Sequence, residues 1–526
     1  MAFTFQINSG IKFTRNEKLL EKAQALRPAL KEELITPLRS VNLQKDEGVQ
    51  GGITAVDSEH TIKDIEKTGF KRGESFILDF GTHYTGYFSI DIEKIGSHQD
   101  SPLSLCIRFA EIPAELEGES KEYDGWLSKS WIQEEVLHLD TLPYSLSLPR
   151  RYSFRYVKIT VIDTSPKWSA VFKNARVLAK SSAEVRAKER LFSRDEQLQK
   201  ICEVSVKTLS ECMQEVFEDG TKRDRRLWLG DLRLEALASY SVFGEKNLVK
   251  RCLYLFGALT AEDGRIAANV FTSPDYEADD TFLLDYSLFF ICTLFDYLEA
   301  NPDDTEILSD LYPVAKKQME YVLRLVSEEG ELIVSEEYPV FIDWSNEFAK
   351  DSAAQGVLIY ALKRFIHLAA AQNESEIAKY EAYLDKIQLF AREKLFDKER
   401  NLFISRKTGE FSIASQVWLV LSDVFSKEKN REIMKSTKEE LFPIKNIATP
   451  YMYHHIAEAF FHAGLKEDGE QLIKSYWGEM ISRGADTFWE AFDPDKPEYS
   501  PYGSALVNSY CHAWSCTAVY LVKKYL

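Results

Sequence analysis

Ser193-Arg-Asp-Glu-Gln-Leu-Gln-Lys-Ile-Cys-Glu-Val-Ser-Val-Lys-Thr-Leu209 is where the chain changes period. Ser193 to Glu196 fits a capping box, and Leu198, Ile201, Cys202, Val206 and Leu209 follow at helical spacing. Upstream the period is two. Phe76-Ile-Leu-Asp-Phe80 ends at the turn signal Gly81-Thr-His83, Leu103 to Phe109 alternates apolar with polar, and so does Val157 to Val161. Half-buried antiparallel strands follow from that pattern, and a β-sandwich of about 180 residues accommodates them. Residues 15–34 carry some helical character ahead of the strands.

Downstream, helical stretches recur near residues 231–244, 280–299, 305–326, 355–371, 373–394, 412–424, 450–463, 467–480 and 506–524, joined by links rich in Gly, Pro, Asp and Asn. A run of helices about 330 residues long can form a solenoid, a bundle or a closed ring of hairpins. A solenoid would show a repeat signature, and none is present. The expected fold is therefore multidomain β + α: an N-terminal antiparallel β-sandwich over residues 1–192, then an all-α (α/α)6 toroid barrel over residues 193–526. In such a toroid, loops at one end line a central pocket.

The length of 526 residues calls for two or three domains. A formal net charge of -18, with no basic tract to offset it, disfavours nucleic acid and anionic membranes. The first ten residues lack the pattern of a signal peptide, and no apolar run is long enough to span a bilayer. The 7 cysteines are odd in number and scattered without a CxxC, which reads as reduced thiols in a cytoplasmic protein. High aromatic content hints at self-association as a homodimer.

The densest chemistry lies in Asp219-Gly-Thr-Lys-Arg-Asp-Arg-Arg-Leu-Trp-Leu-Gly-Asp231, a connection between two helical patterns. One reading is an ion-pair network that orders the loop and caps the next helix with Asp231. The other is sugar chemistry, with carboxylates as acid and base and an indole as an apolar wall. Gly484-Ala-Asp-Thr-Phe-Trp489-Glu490 again sets a carboxylate beside an indole, as does Asp343-Trp344, and Asp285 is a charge inside a mostly apolar helix. His454, His455 and His462 share one expected helix without metal-ligand spacing, and no phosphate loop, dinucleotide fingerprint or nucleophile elbow occurs. Nothing in the sequence calls for a cofactor or a metal.

Asp219-x-x-x-Arg223-Asp224-x-x-x-Trp228-x-Gly230-Asp231 resembles the signature of glycoside hydrolase family 78, the α-L-rhamnosidases, and the Gly484–Glu490 segment resembles that family's second catalytic segment. Asp285-Tyr-Ser-Leu288, Asp343-Trp344 and Thr449-Pro-Tyr451 are smaller matches in the barrel. Leu78-Asp-Phe-Gly81 and Phe154-Arg-Tyr-Val157 are similar to the sandwich that precedes it. The resemblance implies an inverting hydrolase of small terminal α-L-rhamnosides, with Asp224 as general acid and Glu490 as general base. It implies substrate contacts for Asp219, Arg223, Trp228, Asp231 and Trp489. Asp285, Asp343 and Trp344 join them as binding candidates, and His512 is a weaker one.

Two departures from the family pattern stand out. The usual acid is Glu, and Asp224 is shorter by a methylene, about 1.5 Å of reach. The chain also ends with the last barrel helix, so the C-terminal β-domain and the extra N-terminal modules of larger members are not expected. The alternatives are an (α/α)6-barrel glycosidase or lyase for a different sugar, or a non-catalytic sugar-binding relative.

Overall fold

The computed structural model describes residues 5–118, 120–183 and 191–526. Helix α1 (Glu17–Ala25) begins where the Asn16 side chain accepts from the Leu19 amide at 3.3 Å. The helical character expected over 15–34 stops there, because Pro28 bars continuation, and residues 31–35 are a strand instead. Leu19, Leu20 and Ala23 pack into the core of the helical domain, and the Thr14 amide donates to the Thr260 carbonyl at 2.7 Å. The first helix thus lies on the barrel.

The sheet domain holds β1 (Lys31–Ile35), β2 (Arg39–Lys45), β3 (Ile53–Asp57), β4 (Ser75–Gly96), β5 (Leu103–Ala110), β6 (Glu134–Leu139), β7 (Tyr144–Ser147), β8 (Tyr152–Asp163) and β9 (Trp168–Ser181), with α2 (Ile62–Ile65) between β3 and β4. All pairings among these strands are antiparallel. Strand β4 belongs to two layers. Its first half pairs β8 and β2, and its second half pairs β9 and β7. The register shifts between Asp79 and Tyr84, and Gly81 sits there at φ 86°. The expected turn at Gly81-Thr-His83 is therefore a bulge, where glycine's freedom at positive φ lets the strand bend without ending. The alternating residues Phe76, Leu78, Leu105, Ile107, Val157 and Ile159 fill the space between the layers.

Helix α3 (Glu196–Cys212) is capped by Asp195, whose carboxylate accepts from the Leu198 amide at 3.0 Å; Ser193, the expected cap, instead accepts from the Asp195 amide. A carboxylate gains more than a hydroxyl at the positive end of a helix. There follow α4 (Leu229–Val242), α5 (Asn247–Ala258), α6 (Leu284–Ala300), α7 (Thr305–Leu323), α8 (Asp351–Ala371), α9 (Ile377–Lys394), α10 (Ile413–Leu421), α11 (Lys427–Leu441), α12 (Pro450–His462), α13 (Lys466–Ser482) and α14 (Ala518–Tyr525). Helices α4, α6, α8, α10, α12 and α14 pack in succession, and α14 returns to α4, closing an inner ring. The others form the outer ring, in which α13 meets α3.

The helical domain departs from the expected stretches in three further places. Helices α5 and α11 had no counterpart among the expected stretches. The last stretch, expected to be helical over 506–524, holds only 3-10 turns at Ala505–Val507 and Ala513–Thr517 before α14. Apolar spacing there reflects burial of an irregular segment inside the ring, which periodicity does not separate from a buried helix.

Candidate active site

The link from α3 to α4 carries the charged motif to one end of the inner ring. The Asp219 amide donates to the Arg226 carbonyl at 3.0 Å, and the Arg226 amide donates to the Asp219 carboxylate at 3.0 Å. That pair closes the base of the loop and leaves Arg223 to Arg225 at its tip. Asp224 and Arg225 lie at φ 64° and 55°, a left-handed pair of non-glycine residues that costs about 1 kcal/mol or more each. The Ala513 amide donates to the Asp219 carbonyl at 2.8 Å, and Gly220 bridges His512, so the loop is sewn to the segment before α14. That segment also holds Glu490, whose amide donates to the Ser509 carbonyl at 3.0 Å and whose carbonyl accepts from the Trp514 indole at 2.9 Å.

Arg223 organises the centre. Its Nη2 donates to the Glu490 carboxylate at 2.6 Å and to the Tyr502 hydroxyl at 2.6 Å, its Nε donates to the Val507 carbonyl at 3.1 Å, and its Nη1 lies 3.1 Å from Asp224. The guanidinium also sits 4.0 Å above the Tyr502 ring, and the Tyr502 hydroxyl donates to the other Glu490 oxygen. Both candidate catalytic carboxyls are thus held by one buried cation. Asp219 and Asp231 are pushed well above the usual carboxyl range, first by burial and then by neighbouring carboxylates: Asp224 and Asp231 act on Asp219, and Glu490 acts on Asp231. His512 is pushed well below its ordinary value by burial and by Arg223. It is a neutral imidazole, 3.8 Å from Asp219 and 3.7 Å from Asp231, too far for a hydrogen bond to either.

These groups form the floor of a cavity of about 240 Å³ that opens to solvent. Asp219, Arg223, Asp224, Trp228, Asp231, Trp344, Glu490 and His512 all line it, so eight residues from four separate segments converge. Three other expected binders do not reach it. Both Asp285 oxygens accept from the Phe341 amide at 3.0 Å and one accepts from the Ile342 amide at 2.9 Å; burial raises this carboxyl to about 6. Asp343 accepts from the Ser345 and Ala448 amides at 2.8 and 3.0 Å and from the Thr449 hydroxyl. Their oxygens are spent on backbone amides and, for Asp343, on the Thr449 hydroxyl too, so the two carboxylates fix the loop that presents Phe341 and Trp344 to the cavity. Trp489 is 1% exposed and packs behind the wall against Phe492 and Tyr510.

The cavity also takes residues that sequence reasoning passed over. Tyr286, Phe341, Tyr502 and Trp514 line it from the barrel, and Trp126, Leu127, Ser128 and Trp131 reach it from the connection between β5 and β6. Tyr286 and Trp514 stand one and two positions from residues that did draw notice. The sandwich loop carried no signal beyond two tryptophans outside any strand.

The sandwich also supports the floor from beneath. Glu111 accepts from the Tyr510 amide at 2.6 Å, lies 3.4 Å from Lys222 Nζ, and shares hydrogen bonds with His83 at 3.0 Å and the Ser153 hydroxyl at 3.0 Å. Ser153 in turn meets the Thr221 hydroxyl at 2.6 Å. One buried carboxylate therefore anchors both the loop carrying Asp224 and the segment carrying His512. The seven cysteines are free thiols, and His454, His455 and His462 pair with Glu458, the Tyr451 carbonyl and Asp423 respectively.

The model of the bacterial α-L-rhamnosidase six-hairpin glycosidase domain matches residues 189–526, and that of the glycosyl hydrolase family 78 α-rhamnosidase N-terminal domain matches residues 37–179. The chain belongs to glycoside hydrolase family 78. It is a glycosidase of the α-L-rhamnosidase group, an antiparallel sheet domain followed by a six-hairpin barrel. A rhamnosidase from Klebsiella oxytoca, solved with rhamnose bound, is 42% identical, with TM-score 0.93 over 98% of this chain and 99% of that one. Two larger rhamnosidase structures share the fold. The Bacillus sp. GL1 rhamnosidase is 21% identical, with TM-score 0.70 over 86% of this chain and 46% of that one. The Streptomyces avermitilis α-L-rhamnosidase is 14% identical, with TM-score 0.64 over 94% and 44%. No curated protein sequence matched the chain. No helix among the described residues is long and apolar enough to cross a membrane.

Proposed function

We propose that this family 78 member releases terminal α-L-rhamnose from small rhamnosides with inversion, Asp224 acting as general acid and Glu490 as general base. Asp224 gives its proton to the glycosidic oxygen as the bond to the anomeric carbon breaks. Glu490 takes a proton from the water that attacks the opposite face, so the products are L-rhamnose of inverted configuration and the free alcohol. Asp219 and Asp231 accept hydrogen bonds from sugar hydroxyls, Arg223 orients both carboxyls, and Trp228 and Trp344 wall the ring.

The observation that carries this reading is the Arg223 bridge. It sets Asp224 3.1 Å from one terminal nitrogen and Glu490 2.6 Å from the other, so two carboxyls face the same floor from different segments. Inversion is what the family resemblance implies, and it requires a water between acid and base. The 42% identity to a rhamnosidase with rhamnose bound supports the choice of sugar. Asp224→Asn and Glu490→Gln should each lower kcat on an aryl α-L-rhamnoside by about 10²-fold or more. A near-normal rate in either variant, or net retention of configuration by NMR, would overturn the assignment. Faster turnover of another aryl glycoside would favour a barrel glycosidase for that sugar, and rhamnose binding without hydrolysis would favour a sugar-binding relative.

The same reading divides the chain between residues 192 and 193, in the stretch from the end of β9 at Ser181 to the start of α3 at Glu196. It also places the enzyme in the cytoplasm, consistent with its seven free thiols. It has a homodimer as the assembly, which light scattering on the purified protein would test.

A further inference from the structure

The cavity changes character from floor to mouth. At the floor Asp219, Asp231, Glu490 and His512 are 2–4% exposed and polar. At the mouth Trp126 is 45% and Phe5 53% exposed, and Leu127 and Trp131 are half-buried beside them. The Trp126 indole is held by a hydrogen bond to the Pro501 carbonyl at 3.4 Å, and its ring stands 5.8 Å from Tyr502 and 6.1 Å from Phe5. The hydroxyl of Tyr502 is spent on Glu490, so this residue offers the mouth only its ring. Ser128 and Arg226 are the rim's polar side chains outside the aromatic set, and Arg226 lies 4.4 Å over the Phe271 ring.

A sugar ring at the floor places its glycosidic oxygen, and whatever that oxygen carries, toward the mouth. A second sugar would bring hydroxyls for which the rim offers few side-chain partners, so they gain little there beyond what water already supplies. A flat apolar group brings none, and it gains by stacking on exposed aromatic faces. We propose that Trp126, with Leu127 and Trp131 of the β5–β6 connection and Phe5 of the N-terminal segment, forms an aglycone site that selects planar aryl groups over a second sugar. The assignment rests on the rhamnose reading of the floor. It makes the sheet domain a determinant of substrate choice for chemistry carried out by the barrel.

The test compares kcat/KM for naphthyl α-L-rhamnoside and for a rhamnosyl-glucose disaccharide in the full-length wild type, Trp126→Ala and Trp126→Phe. Comparing each variant with wild type on the same substrate cancels the difference in leaving group. Trp126→Ala should lower kcat/KM for the naphthyl substrate by about 3–10-fold, mainly through KM, and shift the disaccharide value by much less. Trp126→Phe should restore most of the loss. Inhibition by free L-rhamnose, which fills only the floor, should stay near its wild-type value and so report an intact fold.

Equal losses on both substrates, a larger loss on the disaccharide, or parallel weakening of L-rhamnose inhibition would each overturn the aglycone site while leaving rhamnoside hydrolysis standing. A wild type that cleaves neither rhamnoside fails differently: it removes the rhamnose reading, and the aglycone site with it.

Discussion

Arg223 and Glu490, 267 positions apart in sequence, are joined by a 2.6 Å hydrogen bond on the cavity floor. The same guanidinium touches Asp224, Tyr502 and the Val507 carbonyl, so four directions are fixed by one planar fork. Lysine supplies a point charge and cannot donate along all of these directions at once. Arg223→Lys should therefore lower kcat on an aryl α-L-rhamnoside by about tenfold or more while the protein stays folded. A rate within twofold of wild type, by steady-state assay, would show that the bridge is incidental.

Glu111 reaches the loops of the proposed catalytic residues from the other domain. Burial alone would raise its carboxyl, but Lys222 and His83 outweigh that and hold it below the usual range. Glu111→Gln removes the charge facing buried Lys222 and weakens the hold on the Tyr510 amide. We expect a loss of about 1–3 kcal/mol in stability, together with a fall in kcat that exceeds the change in KM. Urea unfolding and steady-state kinetics on the same sample separate the two effects.

Asp231 is costly to the fold. A carboxyl whose folded value is raised favours the folded state while it is protonated, and that contribution is lost as pH rises through the folded value. At neutral pH Asp231→Asn removes the tendency toward a buried negative charge, so the variant should melt about 1–3 °C above wild type. It should also lose activity, since the oxygen proposed to bind sugar and its charge go together. A lower melting temperature at pH 7 would contradict this.

His512 has the opposite sign. Its folded value is depressed, so the unfolded chain takes up a proton that the native protein refuses. Native stability is then lost as pH falls below about 6.5. Replacing it with a residue that does not titrate removes that slope. The melting difference between wild type and His512→Gln should shrink as pH falls from 7 to 5, measured by calorimetry in matched buffers.

Gly230 explains a motif position by space alone. A β-carbon there would come within 2.4 Å of the Tyr286 ring, which lines the cavity. Gly230→Ala should cost about 1–3 kcal/mol and raise KM by displacing that ring. Unchanged thermal stability and KM would show that Tyr286 moves aside freely.

The period change at Ser193, the strands around Phe76, Leu105 and Ile159, and most inner helices were legible because each is a local pattern of burial. α11 was not, since this helix buries only a narrow stripe; among its buried residues are Ile433 and Met434 in a run of charge. The segment around His512 failed in the other direction, being buried on all sides and so apolar without a helix.

For the site, the sequence by itself determined which carboxylates, arginine and indoles were available, because the two charged motifs state their chemistry in residue types. Only the tertiary structure decided which of them meet. Ring closure brings Asp224 and Glu490 to one guanidinium, while backbone amides claim Asp285 and Asp343, and packing buries Trp489 behind the wall. Hydrogen-bond partners supplied from far along the chain leave no trace in local spacing. For the same reason, the part played by Glu111 and Trp126 of the sheet domain becomes visible only once the two domains meet.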